Sequence, residues 1–140
     1  AWTGDGYVIA TNSRDFFGVG RGVAVVGLDA LGAPRGMATS LTSTRTGGFV
    51  DEGPPPSVAA APGQLLVTWA DDATGTSNVW FARIAPDGTV LQAPAPLAVT
   101  PGESGQTSAV WADGVFGVTW VEDPSTAPED LLFARVGCAP

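Results

Sequence analysis

Residues 65–69 (LLVTW) and residues 116–120 (FGVTW) carry the same strand-like pattern, and acidic residues follow both stretches. A second shared pattern lies downstream of each, as VWFARI at 79–84 and LLFARV at 131–136. Each pair of stretches is separated by roughly fifty residues, and fixed periods of about 40–50 residues with several strands each are typical of propeller blades. The chain is therefore predicted to be a modular β-protein.

A weaker copy of both patterns occurs near the start of the chain, as VIATN at 8–12 and VAVVGL at 23–28. This alignment places Val8 at the position of Leu65 and Asn12 at the position of Trp69. We therefore expect three repeats, which span residues 1–55, 56–105 and 106–140 approximately.

The pattern of each repeat predicts four short strands and no helix. Gly and Pro interrupt every apolar run, and no stretch has helical periodicity. In the second repeat Leu65, Val67 and Trp69 share one strand face while Leu66 and Thr68 share the other, so both faces are largely apolar. A sheet of this kind has to pack between two neighbours.

The predicted fold class is all-β, with β-propeller-type repeats that form three four-stranded blades, of which the last is incomplete. The third repeat ends after its third strand, so residues 1–140 are expected to form a single domain within a larger propeller. A β-sandwich is the alternative, because short strands of even length serve both folds.

The composition excludes several classes of function. The chain has six Arg, no Lys, no His and a net charge of −8, so neither nucleic acid nor an anionic membrane is an expected partner. No apolar run approaches the length of about 20 residues that a membrane span requires. Cys138 is the single cysteine and cannot form an internal disulfide. No cofactor and no metal are predicted.

Recurring charges are expected to be structural. Asp15, Asp72 and Asp123 follow the second strand of each repeat, and Arg83 and Arg135 occupy equivalent positions in the third strand. We expect these acids and arginines to pair within or between repeats rather than to bind a ligand.

Paired acids leave an enzyme open as the alternative. They lie at 51–52, 71–72, 122–123 and 129–130, and a glycosidase needs two carboxylates about 5–10 Å apart. Acids that are adjacent in a turn are mostly solvated, so this alternative requires two acids from different repeats to converge in one pocket. Glu122 and Asp123 are the acidic candidates for ligand binding.

The five tryptophans suggest a sugar-binding surface, but most fit a core role. Trp69 and Trp120 are equivalent strand positions, and Trp80 aligns with other apolar residues. Trp2 and Trp111 lie near predicted turns, so these two are expected to be exposed and are the aromatic candidates for a ligand site.

Residues 66–72 (LVTWADD) and 81–91 (FARIAPDGTVL) resemble the repeats of large secreted bacterial β-propeller-like proteins. The resemblance covers most of the chain and is weakest in the first repeat. It implies the fold and a secreted or cell-surface location, and it implies no reaction, because such repeats carry many functions.

These features together predict a non-enzymatic extracellular module that binds a carbohydrate or a protein, for adhesion or lectin-like recognition. The alternative is a fragment of a carboxylate-dependent glycoside hydrolase or lyase. Because an open set of three repeats would leave two apolar faces uncovered, the chain is also expected to be a homo-oligomer or to associate with further blades.

Overall fold

A computed structural model describes residues 1–14, 21–41, 54–72, 76–123 and 128–137. Within these ranges the chain forms ten strands and no helix, so no helix there could span a membrane. The strands are β1 (Gly6–Arg14), β2 (Arg21–Asp29), β3 (Pro34–Ser40), β4 (Ser57–Ala61), β5 (Gln64–Asp71), β6 (Asn78–Ile84), β7 (Val90–Ala98), β8 (Glu103–Ala112), β9 (Val115–Asp123) and β10 (Asp130–Gly137).

The strands form three antiparallel sheets in chain order. Sheet I contains β1–β3, sheet II contains β4–β7 and sheet III contains β8–β10. In sheet I an isolated bridge between Trp2 and Tyr7 stands where the first strand of the repeat was expected. The all-β prediction is confirmed, and a sandwich of two sheets does not match this arrangement.

The tight turns follow from Gly, Asp and Pro at the predicted positions. Asp113 and Gly114 connect β8 to β9, and both have positive φ angles, of 49° and 80°. Two such residues form the turn whose twist matches that of the flanking strands. At the turn between β6 and β7, the amide of Ala85 donates to the carbonyl of Thr89 at 2.8 Å.

The central strands of sheet II, β5 and β6, are buried on both faces, as their sequence predicted. Leu65, Val67 and Trp69 pack against Val8 and Val25 of sheet I. On the opposite face, a second cluster joins sheet II to sheet III and consists of Ala59, Leu66, Val79, Phe116, Val118 and Trp120. We call the face of a sheet that points to the preceding sheet its front face, and the face that points to the following sheet its back face.

The register predicted for the first repeat is wrong by one residue. Ala10 pairs with Val25, whereas Thr68 pairs with Phe81, the residue equivalent to Val25. Ala10 therefore occupies the position of Thr68. Three residues earlier, Tyr7 occupies the position of Leu65, where Val8 was predicted. A shift of one residue exchanges the two faces of a strand, and β1 is apolar on both faces, so alternation alone could not fix its register.

Leu66→Ala should lower the free energy of unfolding by about 2–5 kcal/mol, because Leu66 is fully buried between sheets II and III and its loss leaves a cavity. Leu31→Ala is the matched control, since Leu31 lies in a turn and is 96% exposed; its change should stay within about 0.5 kcal/mol. Urea denaturation followed by tryptophan fluorescence measures both, and equal losses would contradict the assignment of Leu66 to the core.

Candidate functional site

A cavity of about 400 Å³ lies between sheets I and II, at the end where β1, β3 and β5 begin and β6 ends. We call this end the turn end. Its volume is within the range of about 300–1,000 Å³ that is usual for small-ligand sites. Apolar side chains line its wall, namely Val8, Val25, Leu65, Ile84 and Pro86, and the polar side chains that line it are Asp5, Arg35, Thr39 and Asp87.

Asp5 lies in the turn that precedes β1 and is held by an ion pair. The Arg35 guanidinium donates through one nitrogen to Oδ2 of Asp5 at 2.8 Å and through the other to the Asp5 carbonyl at 2.8 Å. The Thr3 hydroxyl donates to Oδ1 at 2.9 Å. The hydrogen bond from Arg35, then the one from Thr3, hold the pKa of Asp5 below its ordinary value.

Asp87 reaches the same cavity from the turn between β6 and β7 of sheet II. The backbone amide of Thr89 donates to its Oδ1 at 2.9 Å, and this bond lowers the pKa of Asp87. The Thr39 hydroxyl of sheet I donates to the carbonyl of Gly88 at 3.1 Å and ties the turn to the neighbouring sheet. A side chain at Gly88 would meet this hydroxyl at 2.8 Å, so the close approach requires glycine.

The cavity thus brings together two carboxylates from different repeats. Their lowered pKa values mean that both are ionised at neutral pH. Acid-catalysed cleavage of a glycosidic bond needs one carboxyl group that stays protonated, and neither Asp5 nor Asp87 meets this condition. The arrangement can bind a polyol, because its carboxylates accept hydrogen bonds from hydroxyls and its apolar wall fits C–H groups. Among the described side chains no cluster of three His, Cys, Asp or Glu could hold a metal ion.

The two tryptophan candidates lie in different environments. Trp2 is exposed on the front face of sheet I, where its ring contacts that of Tyr7 at 4.8 Å between centroids. Trp111 contacts Phe116 at 4.7 Å between ring centroids, but it is partly buried against the cluster between sheets II and III. The expected exposure is confirmed for Trp2 and is wrong for Trp111.

Glu122 and Asp123 differ as well. Glu122 continues the front face of β9 beyond Trp120 and is only 7% exposed, whereas Asp123 is exposed. The Ser104 hydroxyl donates to Glu122 at 2.5 Å. The expectation that paired acids lie in solvent is therefore wrong for Glu122.

Glu122 belongs to a polar contact between sheets II and III. The amide of Ser104 donates to the carbonyl of Ser77 at 2.8 Å, and the Ser77 hydroxyl donates back to the Ser104 carbonyl at 2.8 Å. Glu122 lies six residues beyond Phe116, the partner of Trp111, which is about 20 Å along a strand. The structure does not bring the acidic and aromatic candidates together.

The expected pairing of Arg83 and Arg135 with the acid of the same repeat is wrong. Arg83 donates to the side-chain oxygen of Gln64, at 2.8 Å from Nε. Its strand partner is Leu66, six residues before Asp72, so Arg83 and Asp72 lie about 20 Å apart. Arg135 pairs with Gly117, equally far from Asp123. Asp15 lies outside the described residues.

The sequence did not predict this cavity. Asp87 lies in a PDG turn that the sequence shows, but such turns are common and carry no mark of a ligand site. Asp5 and Arg35 are thirty residues apart and meet because β1, β2 and β3 fold back on one another.

No protein-family model and no curated protein matches the chain. The chain is similar to a solved structure, the endo-arabinase from Bacteroides thetaiotaomicron, with a TM-score of 0.55 and 15% sequence identity. The match covers 96% of this chain and 56% of that chain, so this chain spans little more than half of the length of the arabinase. The likeness shows a shared fold.

This finding overturns the prediction that the chain is non-enzymatic. The prediction rested on the assumption that repeats of this type are binding scaffolds, whereas the solved structure that shares the fold is an enzyme. A fold of this type therefore does not imply a binding module, and the class of function has to be argued from the site.

Arg35→Gln should raise the pKa of Asp5 toward its ordinary value, because it removes the principal hydrogen bond that stabilises the carboxylate. The pKa of Asp87 should not change, since the Thr89 amide still holds that carboxylate. NMR titration of both carboxyl groups measures the two values. The contribution of the Asp5 carboxylate to the free energy of unfolding is present at neutral pH and is lost as pH falls through the lowered pKa of Asp5. An unchanged pKa of Asp5 in the variant would contradict the ion pair.

Proposed function

We propose that this chain is part of an extracellular, carbohydrate-acting protein of the glycoside hydrolase type, and that the cavity between sheets I and II binds a sugar. The observation that carries the proposal is the convergence of Asp5 and Asp87, from two repeats, on one cavity with an apolar wall. The shared fold with an endo-arabinase supports the same class of substrate.

We also propose that the three sheets are successive blades of a propeller. Each sheet is antiparallel and follows the chain order, and sheet II packs its front face on sheet I and its back face on sheet III. Propellers are built by the radial repetition of antiparallel sheets, and this order of packing supports the proposal.

The chemistry of the cavity fits a sugar better than a purely apolar ligand. Two ionised carboxylates can accept hydrogen bonds from neighbouring hydroxyls, and such charge-assisted bonds are stronger than neutral ones. The apolar wall, which includes Leu65 and Pro86, can contact the C–H face of a sugar ring. The Arg35 guanidinium keeps Asp5 ionised and fixed in position.

In a hydrolase, these ionised groups suit the role of the nucleophile or base. The proton donor would be a further carboxyl group within about 5–10 Å of them, on the other side of the bond that is cleaved, because the pKa values of Asp5 and Asp87 are both lowered. The proposal therefore assigns sugar binding and one catalytic carboxylate to this part of the protein.

Arabino-oligosaccharides should bind the protein and shift the NMR signals of residues that line the cavity. Asp87→Asn should weaken this binding by about tenfold, because it removes a charged acceptor. Asp113→Asn is the control, since Asp113 lies in the β8–β9 turn of sheet III and does not line the cavity. A panel that includes other plant and bacterial glycans tests the class of sugar.

Release of reducing ends in the same samples measures hydrolysis, which should fall to background when Asp5→Asn and Asp87→Asn are combined. An equal effect of Asp113→Asn on binding, or hydrolysis that persists in the double variant, would contradict the assignment of this cavity.

A further inference from the structure

The cavity between sheets I and II has an apolar floor and a charged mouth. The floor consists of four lining residues that are at most 4% exposed, namely Val8, Val25, Leu65 and Ile84. The mouth consists of the charged lining residues, and the side chains of Asp5 and Arg35 there are 71% and 46% exposed. Asp87 is exposed as well. A ligand that enters the cavity therefore meets charges first and C–H surface beneath them.

The mouth carries one negative charge that is not compensated among the described residues. Arg35 donates to Oδ2 and to the carbonyl of Asp5, so the charges of these two side chains compensate each other. Asp87 accepts its hydrogen bond from the neutral backbone amide of Thr89, and no described arginine forms an ion pair with it. Carboxylate ligands are bound most strongly by a free arginine or lysine, and the described part of the mouth offers neither.

An acidic sugar would find no favourable position for its carboxylate in this cavity. Against the floor, the carboxylate would lose its hydration without gaining a partner, which is costly. At the mouth it would lie near Asp87, which has the same charge, and like charges at a contact are unfavourable. It could reach Arg35 only in competition with Asp5. A sugar hydroxyl, by contrast, can donate a hydrogen bond to Asp87.

From these contacts we propose that Asp87 makes the cavity selective for uncharged sugars and excludes uronic acids. The inference rests on the proposed function and specifies the class of sugar within it. Selectivity is a difference between two affinities, and a repulsive group can produce it as well as an attractive one. Asp87 acts in both ways, because its carboxylate accepts a hydrogen bond from a hydroxyl and repels a carboxylate.

Three matched probes test the selectivity. They are methyl arabinofuranoside, the same sugar with its C5 hydroxymethyl group oxidised to a carboxylate, and the methyl ester of that acid. NMR titration at neutral pH gives each dissociation constant and shows whether the signals of cavity residues shift. The acid should bind about ten times more weakly than the neutral sugar, and the ester, which has no charge, should bind about as well as the neutral sugar.

Two variants should move the ratio of the two dissociation constants, acid over neutral sugar, in opposite directions. Asp87→Asn should weaken binding of the neutral sugar about tenfold and leave that of the acid nearly unchanged, because the lost acceptor and the lost repulsion offset each other. The ratio therefore falls about tenfold. Arg35→Gln should raise the ratio, since Asp5 stays ionised at neutral pH and the mouth then carries a second uncompensated negative charge.

Asp113→Asn is the matched control, because it makes the same change of charge at an exposed turn residue of sheet III that does not line the cavity. It should leave the ratio unchanged. If the acid binds in the cavity as tightly as the neutral sugar, or if Arg35→Gln lowers the ratio, the selectivity is overturned while the sugar site stands. If no probe shifts the signals of cavity residues, the proposed function fails and the selectivity fails with it.

Discussion

The central strands of sheet II, β5 and β6, are apolar on both faces, so they are stable only between two other sheets. Leu66 and Leu65 are neighbours in the chain, and each is fully buried, against sheet III and sheet I respectively. A sheet of this kind has no solvent face, and its neighbours must supply matching surfaces. The stacking of front face on back face follows from this constraint. It also determines where the ends of the strands leave room for a cavity.

The cavity is a consequence of the stacking at the turn end. Sheets I and II are tied there by the hydrogen bond from Thr39 to Gly88, while short turns carry Asp5 and Asp87 to the edge of the contact. At the opposite end, Ser77, Ser104 and Glu122 close the contact between sheets II and III with hydrogen bonds. At the turn end of the stack, ionised carboxylates can therefore bind a ligand. At the opposite end, the buried carboxylate of Glu122 helps to hold sheets II and III together.

Much of the fold could be predicted from the sequence, because the patterns of β5 and β9 match each other and recur at a fixed spacing. The register of β1 could not, since Tyr7, Val8 and Ile9 are all apolar and permit either face to point inward. The burial of Glu122 was missed because its partner, Ser104, lies eighteen residues away, and adjacent acids suggest a solvated turn. The cavity could not be inferred, because Asp5 meets Arg35 only once β1, β2 and β3 fold back on one another, and Asp87 approaches them only through the stacking of sheets I and II.

The central claim is that stacking on both sides of sheet II stabilises the molecule, and amide hydrogen exchange measured residue by residue tests it most directly. The amides of β5 and β6 should exchange slowest, with a free energy of opening close to the global free energy of unfolding. The amides of β3 and β10, which are edge strands, should have a lower free energy of opening and exchange faster. Protection in β5 and β6 no greater than that in the outer sheets would contradict the account.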